Sequence, residues 1–418
     1  MENKKFTVAI LGVGSRGAGY GLIMNSMKDK FQIVSLCDLI KEKLDRFQEI
    51  FDVDKENCFL DCNEFFKEKR ADVLIIANQD QDHVWCCLKA LELGYDVLVE
   101  KPLTDNLEEC EKLLAAQKKY NKKVMVCHVL RYAPAYIKTK ELLNEETIGR
   151  LVAIQAIEQV HYWHQAHSYV RGNWRKKEDT TPMILAKCCH DLDLIQYYAG
   201  SKCKSVSSVG DLTFFKKENA PKNASKRCLE CQLIETCPYS AKRIYLDMWK
   251  ETNSGWPTGI ITVKRPLTEE NILEALKDGP YGRCVFHCDN NVVDHQIVQM
   301  DFENGVKANL TMTGFTGNGG RIYKFYGTLG EVDLDEEKGV ILVKKFGQPT
   351  QKIHFSSLCT LEGGHGGGDQ GLINSLYKVL SSDEQAETSL EASVESHLMG
   401  IKAEESRLLD GKMLFLHK

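Results

Sequence analysis

Residues 6–17 read FTVAILGVGSRG, and this stretch decides the fold class. A short apolar run, 6–11, passes directly into Gly12, Gly14 and Gly17, a G-x-G-x-x-G spacing at the point where a strand would give way to a helix. At such a junction each glycine has a separate task. Gly12 permits the tight turn, Gly14 lets the backbone approach a pyrophosphate, and Gly17 lets the helix pack closely on the strand. The helix N-terminus, with Ser15 and Arg16, then faces phosphate charge. A glycine-rich surface turn could show the same spacing, so the next strand matters. FQIVSLCD (31–38) ends at Asp38, about twenty residues on, where an acid can hold both ribose hydroxyls. A carboxylate there repels a 2′-phosphate, which favours NAD over NADP; Lys41 and Lys43 read as a solvated helix face.

Working outward, VLIIAN (73–78), DVLVE (96–100) and KVMVC (123–127) are further short apolar runs bounded by polar turns. Between them, 82–93 and 107–119 show helical periodicity. Strands alternating with helices of this length predict a parallel, doubly wound α/β sheet. With 418 residues, 43% of them hydrophobic, the chain has room for a second unit. We expect a nucleotide-binding domain over 1–130 and an α+β substrate and oligomerisation domain over 131–418.

Composition excludes several classes. Fifty-four basic against 59 acidic residues give a net charge of −5, with no general reason to bind nucleic acid or an anionic membrane. No apolar run reaches the ~18 residues of a membrane span, and residues 1–6 are too polar and too short for a secretion signal. The sixteen cysteines include adjacent pairs, Cys86-Cys87 and Cys188-Cys189, while Cys37, Cys127 and Cys203 lie in apolar runs or beside turns. This usage fits reduced thiols in a cytoplasmic protein.

The fourth of the apolar runs, 96–100, leads into Glu100-Lys101-Pro102. A lysine at the carboxyl end of a parallel strand sits where ligands bind in this architecture. Burial beside a positive nicotinamide would bring its pKa toward useful proton-transfer values. The run VLVEKPLT after such a glycine turn resembles the Gfo/Idh/MocA oxidoreductases. So do ANQDQDH (77–83), HVLRYAP (128–134), KCCHDLD (187–193), FYGTLGEV (325–332), GGHGGGD (363–369) and SHLMGIKAEESRL (396–408). The resemblance covers nearly the whole chain. It implies a second lobe built on a large open antiparallel sheet, NAD as cofactor, and a sugar or polyol substrate. It places Lys101 beside the nicotinamide, with Asn78, His83 and Glu100 on the cofactor side. The β-branched and aromatic runs at 151–163, 295–302, 306–315 and 321–328 suit the second sheet.

In the same family a histidine at the start of a helix lies beneath the active site, and His190 matches it. Asp191 and Asp193 would cap the helix or orient neighbours. Many inositol-dehydrogenase-like members carry an aspartate four residues before the histidine. Here that position is Ala186, and Lys187 follows as a candidate second cation. HYWHQAHSYVRGNWR (161–175) offers His167, Arg171, Asn173 and Trp174 as substrate contacts, since sugars stack on aromatic faces while polar groups read hydroxyls. His365 and Asp369 sit in a glycine run that could close over substrate or open the following helix.

Cys228, Cys231 and Cys237 fall in an insertion at about 214–280, after the polar, lysine-rich stretch KKENAPKNASKR. Such a stretch has little apolar area with which to order itself. C-x₂-C spacing can place thiolates around one zinc, with Cys284, Cys288 or His287 as fourth ligand; packed reduced thiols are the alternative. The expected activity is hydride transfer between NAD(H) and a ring hydroxyl of a sugar, inositol or glycoside. A redox-neutral glycoside hydrolase cycling its bound NAD and a non-catalytic NAD sensor are the rivals, and a homodimer or homotetramer is expected.

Overall fold

The computed structural model describes residues 4–358, 364–382 and 384–417. The first sheet contains β1 (Phe6–Leu11), β2 (Phe31–Cys37), β3 (Cys58–Phe59), β4 (Val73–Ile76), β5 (Asp96–Val99) and β6 (Val124–Val126). Their order is β3-β2-β1-β4-β5-β6, with every pair parallel. Helices on both faces bury β4 and β6 completely, so these strands read as unbroken apolar runs rather than alternating ones. The strand order reverses between β1 and β4, which opens a crevice at their carboxyl ends. Gly12 and Lys101 both emerge on that edge. β3, at two residues, is too short to leave a sequence pattern.

The second sheet has nine strands: β7 (Leu151–His161), β8 (Cys203–Asp211), β9 (His295–Phe302), β10 (Lys307–Thr316), β11 (Gly320–Gly327), β12 (Gly330–Asp335), β13 (Val340–Lys345), β14 (Gln351–His354) and β15 (Leu414–Phe415). Their order is β14-β13-β12-β11-β7-β10-β9-β8-β15, antiparallel except for the central β7–β10 pair. Along β9 and β10 buried residues alternate with partly exposed ones, the signature of a sheet covered on one face. Helices Cys189–Ala199 and Leu390–Leu408 pack on that face. The chain then returns to the first sheet, where Met125 bridges Ser389 and Leu390 joins the core.

Two expectations are corrected. The strand run expected over 151–163 ends at His161, and the chain continues in short irregular helical turns because Ala166 and Val170 dock into a third core. That core belongs to the segment between β8 and β9, which therefore does order itself. Phe215, Ala241, Ile244, Tyr245, Leu246, Ile272, Leu276, Val285 and Phe286 are buried together. The polar 216–227 stretch is only its rim. Helix Glu269–Asp278 carries a reciprocal cap between Thr268 and Asn271, fixing where it starts. Among the described residues no helix is long and apolar enough to cross a membrane.

Candidate active site

The glycine loop is built as its spacing demands. Gly12 has φ +91°, and a Cβ there would lie 2.5 Å from the Ala77 carbonyl oxygen. A Cβ on Gly17 would stand 2.0 Å from the Gly12 carbonyl oxygen, whereas one on Gly14 would meet nothing within 4 Å. The loop is thus crowded toward the sheet and open where a diphosphate would lie. Helix Ser15–Ser26 starts with no side-chain cap, which leaves its first amides for an anion. Asp38 accepts the Val13 and Ile40 amides, each at 2.9 Å, and so holds the loop in register with β2. These features fit a dinucleotide.

Arg16, expected at the cofactor, turns elsewhere. Its Nε donates to Glu100 Oε1 at 2.9 Å, and its two terminal nitrogens grip Asp369 at 2.8 and 3.1 Å. Burial alone would raise the Asp369 carboxyl, but hydrogen bonds from His365 and Arg16 hold it well below its usual range. Glu100 also accepts from Tyr20 and from the Lys101 amide. Arg16 and Glu100 therefore tie the glycine loop to helix Gly368–Ser381 and to the turn that carries Lys101. His83 likewise braces that turn, with Nδ1 2.7 Å from the Pro102 carbonyl oxygen. Asn78 donates to Cys86 Sγ at 3.4 Å and keeps its buried Oδ1 unpartnered.

Lys101 Nζ donates to the Ala186 carbonyl oxygen at 3.3 Å, so a backbone acceptor stands at the position where the resemblance led us to look for an aspartate. His190 lies in the first turn of helix Cys189–Ala199, 7% exposed, with Nδ1 buried and unpartnered among the described residues. Burial, and then the charge of Lys101, press its pKa well below the usual histidine value. His128 and His365 flank it, with ring centroids at 5.9 and 6.3 Å. His365 has φ +54°, a left-handed conformation uncommon outside glycine. Gly363, which begins that glycine run, lies outside the described residues.

Lys187 is not a free second cation. Its Nζ meets Glu158 Oε1 at 3.0 Å, and Glu158 also pairs with Arg321 at 3.0 Å. Arg321 and Tyr323 bind Asp191, whose pKa burial and the neighbouring Glu158 push up to about 6. Asp193 receives Arg131 through two bonds of 2.7 Å. Both aspartates orient neighbours. Motif reading gave Glu158 and Arg321 no part in the site, and it met His128 and Arg131 inside HVLRYAP without a role, because each acquires meaning only from a distant partner.

The substrate candidates do not assemble as one group. Arg171 is fully buried in the second lobe and donates to the Arg283 and Tyr239 carbonyl oxygens, both at 2.7 Å. Burial pushes His167 down to about 3; it stacks on Tyr281 and bonds Tyr245 at 2.9 Å. Asn173 is exposed. Trp174 Nε1 donates to the buried Asp80 of the first lobe at 2.9 Å, joining the lobes beside the crevice. Only His365 stands against His190.

Cys228, Cys231, Cys237 and Cys284 line one cavity of about 20 Å³ together with Arg171. Among the described residues, however, no three His, Cys, Asp or Glu side chains form a ready metal-binding group, so the expected zinc centre is not preformed. Two of the sulfurs have partners of their own instead: Cys228 accepts from Arg171 and Cys231 from the Ser225 amide, both at 3.5 Å. Cys288 donates to the Cys284 carbonyl oxygen. It does not line the cavity, and neither does His287.

Comparison with known proteins agrees with this architecture. Residues 6–128 match the oxidoreductase family's NAD-binding Rossmann fold, and 140–407 match its C-terminal alpha/beta domain. The Bacillus subtilis protein YteT, named as an oxidoreductase, is 24% identical over 398 residues, 88% of each chain. A 2,7-anhydro-N-acetylneuraminate hydratase of Mediterraneibacter gnavus is 24% identical over 48% of this chain and 51% of its own. The structure of a levoglucosan dehydrogenase with NADH and levoglucosan superposes with a TM-score of 0.73 at 16% identity, over 99% of this chain and 100% of that one. The chain belongs to the Gfo/Idh/MocA family of NAD-binding oxidoreductases.

Proposed function

We propose that this oxidoreductase transfers hydride between NAD(H) and a ring hydroxyl of a sugar, inositol or related polyol. The observation that carries the reading is Lys101 at the end of β5 beside a buried, neutral His190 with a free nitrogen, at the crevice edge of the glycine loop. Bound NAD supplies the hydride acceptor. Lys101 takes the hydroxyl proton as the carbinol carbon is oxidised, and His190 holds or relays that proton. Lys187, fixed by Glu158, positions rather than transfers. His365 and Trp174 close the substrate side. Dehydrogenase and levoglucosan-binding neighbours support a carbohydrate substrate. The test is a panel of sugars, inositols and glycosides with NADH and product both followed. A redox-neutral cycle is the second reading, favoured by a relative named as a hydratase; it gives product without net NADH.

A structural zinc drawn into the thiol cavity is supported by the four cysteines that line it and by N–H donors to the Cys228 and Cys231 sulfurs. A homodimer or homotetramer is supported by the uncovered sheet face, where Val152, Val209, Ile297 and Tyr326 are exposed. The abundant free thiols suit the cytoplasm.

A further inference from the structure

The second lobe reaches back over the glycine loop. Residues 255–265, part of the segment between β8 and β9, face helices Ser15–Ser26 and Lys41–Phe51 across a cleft of about 350 Å³. Its walls include Gly14 and Ser15, whose amides open the first helix, and three cations, Lys43, Arg46 and Arg265. Among the described residues none of these three has a carboxylate in ion-pair reach, unlike the neighbouring Lys41, which pairs with Asp45.

Arg265 is fixed before any ligand arrives. Nη1 donates to the Thr262 and Lys264 carbonyl oxygens at 2.9 and 2.8 Å, and Nη2 to that of Gly259 at 2.8 Å. The approach is close at residue 259, where a Cβ would stand 3.0 Å from Nη2. Arg46 lies over the Phe47 ring with its Nε buried and unpartnered. Burial, then Arg46, lower the Arg265 pKa, so the two guanidiniums feel each other across the lobes. Like charges held toward one cleft are relieved by an anion between them. The segment is anchored at its other end by Trp256, whose ring meets Trp163 at 4.8 Å and His164 at 4.9 Å.

We propose that residues 255–265 form a strap over the dinucleotide, and that Arg46 and Arg265 clamp its diphosphate from opposite lobes, so that the cofactor leaves slowly between turnovers. This rests on the NAD reading above and adds residues outside the glycine motif. A cofactor held in this way suits the redox-neutral cycle as well as the dehydrogenase. The experiment is calorimetric titration of NAD, NADP, ADP and adenosine into wild type, Arg265→Ala, Arg46→Ala and Lys264→Ala, with NAD dissociation followed by stopped flow. Loss of a charge-assisted bond should weaken NAD and ADP about 10- to 100-fold in either arginine variant. Adenosine binding should stay unchanged, the salt dependence of NAD binding should flatten, and NAD should leave faster. Lys264→Ala, whose ammonium pairs with Glu274, controls for net charge. Arg46→Ala carries the test by itself if Arg265→Ala does not fold. NAD affinity within about twofold of wild type in the arginine variants overturns the clamp alone, as does an effect confined to NADP. Wild type that binds no NAD overturns the parent reading too.

Discussion

Replacing Lys101 by alanine separates chemistry from architecture. Among the described residues the ammonium has one hydrogen bond, 3.3 Å to the Ala186 carbonyl oxygen, and Lys101 is only partly buried. Losing that bond costs about 1 kcal/mol of stability, too little to unfold a domain. Losing a positioned acid–base group costs about 10²–10⁴-fold in rate, or about 2.7–5.4 kcal/mol of barrier. Turnover on the best substrate should therefore fall at least about 100-fold, while NAD affinity and the thermal midpoint stay close to wild type. A second signature follows from His190. After burial, Lys101 is the largest influence keeping that imidazole neutral. Its removal should raise the histidine pKa and move the acid limb of the residual rate profile to higher pH. The assay is steady-state hydride transfer against pH, paired with NAD titration. Near-normal turnover would refute the proton-transfer role. Lost turnover with an unmoved acid limb would refute the Lys101–His190 coupling.

The remaining predictions concern cofactor, acid and metal. Asp38→Ala should bring NADP affinity closer to that of NAD, and wild type should prefer NAD; equal titration of both by wild type would remove the argument from Asp38. Burial pushes His128 to about 4 and His167 and His397 to about 3. These lowered values contribute stability that is complete above the unfolded value of about 6.5 and is lost as pH falls from there toward the folded values, at about 1.4 kcal/mol per unit for each. The urea midpoint should drop before the carboxylates Asp369 and Glu100, both held below the usual carboxylate range, protonate; a flat midpoint from about pH 6.5 to 5 would contradict the neutral burial of these histidines. Protein purified without added metal should carry about one zinc per chain, with Cys231→Ser lowering zinc content and thermal stability. A metal-free, fully stable protein would show ordinary packed thiols.

The first sheet was legible because its signals are local. Apolar runs, turn glycines and an acid at a strand end need no distant partner, so β1, β2, β4, β5 and β6, Gly12, Asp38 and the placement of Lys101 all followed from residues 6–127. The start of helix Cys189–Ala199 was equally readable from KCCHDLD. The second sheet was legible as a set of β-rich runs, but not its parallel β7–β10 pair, since register depends on which edges meet.

What the folded chain alone decided is the use of each charged group. Arg16 could have faced phosphate; Asp369 takes it instead, from 353 positions away in sequence. Lys187 reads as a spare cation until β7 brings Glu158 to it, and Arg171 as a sugar contact until the β8–β9 segment buries it. That segment's apolar residues are scattered among polar ones, and only their collapse onto one another reveals a core and a strap. The physical reason is common to the three charged groups: sequence periodicity fixes which face a residue occupies, whereas the partner of a long charged side chain is chosen by how separately formed lobes pack.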